Sequence, residues 1–250
     1  MAARTDRTTD SALHAGLLLA RRGQSYFSRK LNELSDQEFA EPSLLGGWTK
    51  AHLIAHVGLN ARAITRLIDW ASTGVPTPMY SSPEQRASEI DLASTLPAQA
   101  LRNLSDHAAI HLNVEWRDLS DESWEHEVRT AQGRTVPASE TVWMRTREVW
   151  IHAVDLGNGG SFDDFPPEFI SAILVDVLAN WSKRRTAEQL DHFVLEATDR
   201  GDIWGLDGSS ESSIVLRGRS ANLARWATGR GSSGLVNADG TAVPSSPRWL

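Results

Sequence analysis

The sequence predicts an α+β protein in two parts, a helical bundle over residues 1–160 and a smaller mixed α/β domain over 161–250. Three observations carry this. Apolar residues recur at helical spacing in four long segments before residue 160, short β-branched runs appear only after residue 190, and a loop at 157–167 parts the two patterns. At 250 residues the chain has room for two domains of ~100–150 residues each.

The elements follow in order. Asp10 can cap a first helix carrying Leu13, Leu17, Tyr26, Phe27 and Leu31 at helical spacing. The stretch 42–47 breaks that pattern. Thr49 can cap a second helix with Leu53, Ile54, Val57, Ile64 and Leu67 on its apolar face, ending at Gly74. Pro76, Pro78 and Pro83 mark a loop, and 92–119 reads as helix, interrupted or begun afresh near Pro97. The less periodic stretch 123–137 suggests a short hairpin around Gln132-Gly133, and helical spacing returns from Ser139 through Trp150 and Val154 to a stop at Gly157. Four amphipathic helices make a bundle whose inward faces can build a metal site. Beyond 167 we expect a helix to about Arg185, strands at 192–197 and 213–216, a last helix from Ser220 to Gly229, and a tail rich in Gly, Ser and Pro.

Composition excludes several classes of function. A net charge of −7 argues against nucleic acid as a partner, because that footprint needs clustered cations in excess. No run approaches ~20 apolar residues and the first residues lack a signal-peptide core, so a cytoplasmic protein that does not engage membranes is expected, as a monomer. Ten tryptophans point mainly to packing. With no cysteine, the chain has no thiolate of its own, and thiol chemistry would need a borrowed thiol.

The same chain is rich in residues that bind zinc. Glu148 and His152 stand four apart, on one face of a helix, and His52 is the best candidate for a third ligand. Two histidines and one carboxylate leave a coordination position open, as a catalytic zinc requires. His52-x-x-x-His56 is a rival pair on one helical face; it lacks the Glu that follows the first His in zincins, which disfavours a metalloprotease. For His56 we expect packing or an outer-shell hydrogen bond, and Asp155 could orient His152 in the same way. Each histidine also has the plainer reading of a satisfied side chain without metal. Arg225, among small and apolar residues on the last helix, suits bidentate capture of a carboxylate, although a solvated cation is the bland reading. Arg134, between Gly133 and Thr135, is a weaker candidate for binding a cofactor.

At these residues a family resemblance enters. The runs Leu45-Gly46-Gly47-Trp48-Thr49-Lys50-Ala51-His52-Leu53-Ile54-Ala55-His56-Val57, Thr77-Pro78-Met79-Tyr80, Ala131-Gln132-Gly133-Arg134-Thr135-Val136-Pro137 and Arg147-Glu148-Val149-Trp150-Ile151-His152-Ala153-Val154-Asp155 resemble mycothiol-dependent maleylpyruvate isomerases, and the likeness runs through Gly229-Arg230-Gly231 to Pro247-Arg248-Trp249-Leu250. It implies a DinB-like four-helix domain holding a divalent ion, usually zinc, and a C-terminal α/β domain similar to sterol carrier proteins. Carried over by position, the family's metal ligands fall on His52, Glu148 and His152 and its essential arginine on Arg225. The implied activity is cis-trans isomerisation of maleylpyruvate to fumarylpyruvate, in the degradation of gentisate. Mycothiol would lend its zinc-activated thiolate to the double bond, Arg225 would hold a carboxylate, and the site would lie in the cleft between the domains. The alternatives are a mycothiol S-transferase on the same scaffold and a non-catalytic helical module that binds a ligand.

Overall fold

The computed structural model describes residues 5–205 and 213–249. Residues 1–4, 206–212 and 250 lie outside the described residues. The chain divides into two compact units, Met1–Gly160 and Ser161–Leu250.

In the first unit four long helices form the bundle: α1 (Ser11–Glu33), α2 (Lys50–Thr73), α4 (Ala98–Asp118) and α6 (Glu140–Asp155). Local chemistry sets their ends. The Asp10 carboxylate accepts the Ala12 and Leu13 N–H groups, the Thr49 hydroxyl accepts that of His52, and Gly74 closes α2 at φ 73°, where a side chain would be strained. Pro97 stands immediately before α4, so the helix does begin afresh there.

One element departs from expectation. The proline-marked stretch before residue 92 contains a helix, α3 (Pro83–Ser94), whose first residue is proline and whose N–H of Gln85 bonds the Ser82 hydroxyl at 3.1 Å. A Ser cap followed by Pro is a helix start as readily as a loop, and here packing against α2 decides for the helix. A short helix α5 (Asp121–Glu125) precedes the hairpin of β1 (Glu127–Arg129) and β2 (Thr135–Pro137), which turns through Gly133 at φ 81°.

Apolar side chains seal the bundle. α2 packs on α4 and α6, and α1 packs on α6. Leu17, Leu31, Leu53, Ile64, Leu67 and Val149 are fully buried, each worth ~1.5–3 kcal/mol over an exposed position. Close approach needs glycine at two crossings: a Cβ on Gly23 would meet Trp150 and Val149 of α6 at 2.6–2.7 Å, and one on Gly58 would meet Leu104 of α4 at 2.9 Å.

The second unit begins with α7 (Pro167–Glu188). Its four-stranded sheet has the order β4 (Ile203–Trp204), β3 (His192–Ala197), β5 (Ser213–Gly218), β6 (Leu235–Asn237), with β3 and β5 parallel and the outer pairs antiparallel. β6 lies in the stretch expected to be tail, and its register with β5, Leu216 opposite Asn237, supplies a pairing that composition does not reveal. α8 (Ser220–Ala227) follows β5. Ser220 does not cap it; its hydroxyl donates instead to Asp199 at 3.0 Å. Trp181 of α7, Phe193 of β3 and Trp226 of α8 meet with centroids 5.1–5.6 Å apart and form this unit's core. Among the described residues no helix is long and apolar enough to cross a membrane.

Candidate metal centre

The bundle brings three potential ligands together from two helices. Glu148 and His152, one turn apart on α6, present side chains on one face; His56, in the second turn of α2, faces them. Both imidazoles aim Nε2 at the same Glu148 oxygen, Oε2, at 3.0 Å from His56 and 3.1 Å from His152. One ligand atom from each of the three lies within 4.8 Å of the others. The rings of His56 and His152 meet edge to face at 5.1 Å, and Trp48 flanks His56 at 5.3 Å.

Behind this trio stands an outer layer. Asp155, fully buried, receives the His152 Nδ1 proton at 2.9 Å, which turns Nε2 toward Glu148. A carboxylate so placed is what holds the tautomer of histidines that bind metals. The donor set of two imidazole nitrogens and a carboxylate therefore fits a divalent ion of the zinc type.

The charges are correspondingly uneven. Burial alone would depress both imidazoles. For His56 burial prevails over the attraction of Glu148, and its pKa falls below the ordinary value, leaving it neutral. For His152 burial is outweighed by hydrogen bonds to Asp155 and Glu148, and its pKa rises to about 9. Burial likewise opposes ionisation of Glu148, but the two histidines overcome it and hold the carboxyl well below the usual range. The site at neutral pH is thus an anion between one charged and one neutral ring.

Of the three ligands expected from the sequence, the fold brings Glu148 and His152 together, and the third member of the cluster is His56 rather than His52. His52 sits one turn earlier on α2, half-buried, with Nδ1 2.7 Å from the Thr49 hydroxyl and Nε2 4.0 Å from Asp91 of α3. Arg134 lies exposed beside the hairpin turn, 3.8 Å from Glu140. Arg225 is half-buried on α8, bonded to the Ser233 carbonyl, with a buried Nε that has no hydrogen-bond partner.

Three residues that the sequence reading left without a role surround the trio. Arg145, 2% exposed, donates to the Val57 carbonyl at 2.7 Å, Asn60 at 2.9 Å and Gln24 at 2.9 Å, tying α6 to α2 and α1 next to His56; burial lowers its pKa to about 10. Arg86 of α3 donates to His56 Nδ1 at 3.3 Å and stands 5.8 Å from the centre of the Tyr80 ring. Tyr80 is half-buried, and desolvation, reinforced by Glu148, raises its pKa. The Ser-Pro start of α3 was the signal that could have placed Arg86 on a helix; nothing local says that this helix lies over the histidines.

Comparison with known proteins adds a second line of support. The family described as "Mycothiol maleylpyruvate isomerase N-terminal domain" matches residues 20–157, and the "MDMPI C-terminal domain" matches residues 164–242. The chain is similar to a crystal structure of the mycothiol-dependent maleylpyruvate isomerase, at 46% identity over 95% of this chain and 97% of that one, with a TM-score of 0.87. A structure of a histidine-to-alanine mutant of the mycothiol-dependent maleylpyruvate isomerase superposes with a TM-score of 0.88 at the same identity and coverage. Among curated proteins none matches the chain at a significant level.

Proposed function

Since the chain belongs to the mycothiol maleylpyruvate isomerase family, we propose that it is a cis-trans isomerase converting maleylpyruvate to fumarylpyruvate with mycothiol as thiol cofactor. The observation that carries this reading is the convergence of His56, Glu148 and His152 in a chain without cysteine. A dication held there would lower the pKa of a thiol in its open position, and zinc suits these donors. The chemistry mycothiol supplies is reversible addition: a C–S bond forms on the double bond, the electron pair moves to the conjugated ketone, and elimination after rotation returns thiol and trans product.

The protein's own residues prepare that chemistry. His56, Glu148 and His152 hold the ion in our reading, with His56 in the place first expected for His52. Asp155 fixes the His152 ring, and Arg145 fixes the backbone of α2 beside His56. Arg225 holds a carboxylate of substrate or cofactor, a role supported by its match to the family's essential arginine and by its unpartnered Nε.

The test combines metal content with thiol dependence. Wild type and His52→Ala are expected to carry zinc and His56→Ala to lose it; maleylpyruvate turnover should proceed with substoichiometric mycothiol. Stoichiometric consumption of thiol would instead identify an S-transferase, and a wild-type protein that takes up no metal would identify a non-catalytic module.

A further inference from the structure

Arg86 is a cation at the metal centre without an anionic partner. Its two neighbours there are His56, through Nδ1 at 3.3 Å, and the Tyr80 ring, 5.8 Å to its centre, and no carboxylate pairs with Arg86 among the described residues. A half-buried guanidinium that no carboxylate pairs is poised for an incoming anion.

We propose that Arg86 is the residue that binds the substrate carboxylate next to the reacting double bond. The inference rests on the isomerase reading. In maleylpyruvate the carbon that is β to the ketone, and so takes the sulfur, bears a carboxylate; that group has to lie beside the activated thiol. Arg86 is placed for it by α3, which packs along α2. A guanidinium fork there fixes one end of the substrate and leaves the other end free to turn. The cation also offsets the charge that a dianionic substrate brings to a chain of net charge −7.

The test uses the full chain loaded with zinc and heptanedioate, the seven-carbon dicarboxylate that lacks both the double bond and the keto groups of maleylpyruvate and so cannot be attacked. Isothermal titration of Arg86→Gln is expected to show binding weakened by about 10- to 100-fold, the scale of one lost charge-assisted contact, with zinc content unchanged and KM for maleylpyruvate raised by a similar factor. Arg86→Lys should recover part of the affinity, and it keeps the test readable if the glutamine variant misfolds. Unchanged affinity in Arg86→Gln overturns the proposal, as does heptanedioate failing to bind wild type. Loss of zinc from Arg86→Gln overturns it too, since Arg86 would then merely prop His56. A wild-type protein that neither binds zinc nor isomerises would sink the isomerase reading itself, whereas an active wild type with an indifferent Arg86→Gln sinks only this inference.

Discussion

His152 holds its proton at neutral pH because Glu148 and Asp155 face it from both ring nitrogens, so that metal uptake as proposed would release a proton. With a pKa of about 9, the ring must lose a proton before Nε2 can bind a cation. Zinc affinity should therefore climb with pH toward about 9, by up to about tenfold per unit, and proton release can be read by titration in buffers of different ionisation enthalpy. The metal-free protein should respond oppositely. A histidine raised from its ordinary 6.5 stabilises the fold fully below that value, and the stabilisation disappears as pH rises through about 9. Glu148, depressed, contributes above its ordinary value and is lost in acid. Urea midpoints of the apo protein should therefore fall on both sides of neutrality, and an alkaline limb that stayed flat would contradict the protonated His152.

At the scale of elements, the site depends on how closely α6 lies to its neighbours. Gly23 lets α1 approach the Val149–Trp150 stretch, between the two α6 ligands, and the Trp150 indole N–H anchors to the Leu19 carbonyl at 3.1 Å. Gly23→Ala would push a methyl into that contact, so a loss of about 1–3 kcal/mol by urea denaturation is expected, together with weaker zinc binding as Glu148 and His152 move off His56. Asp10→Ala, at the start of α1, should cost about 1 kcal/mol through the lost cap and leave zinc affinity unchanged. The pair separates general stability from positioning of the ligands. The caps and apolar spacing of α1, α2, α4 and α6 are local facts and could be read from the chain. α3 was obscured by its prolines, and β6 has so little apolar pattern that only its pairing with β5 makes it a strand.

At the scale of the molecule, the division into Met1–Gly160 and Ser161–Leu250 places the proposed metal ligands in one unit and Arg225 in the other. A fragment of residues 1–160 is expected to fold, by circular dichroism, and to bind zinc, yet not to turn over maleylpyruvate. In the full chain Arg225→Ala should keep its zinc and lose about 100-fold in turnover, the scale of one removed electrostatic stabiliser, whereas undiminished activity would remove Arg225 from the mechanism. By itself the sequence determined the α+β class, the four bundle helices, the lack of a protein thiol and the one-face pairing of Glu148 with His152, because periodicity, caps and composition act over a few residues. Tertiary structure decided which of two histidines a single turn apart on α2 meets that pair, and that Arg86 overlies them. The choice depends on the axial offset between α2 and α6, across which Arg145 bonds Val57 and Asn60, residues far away along the chain, and no local pattern encodes such an offset.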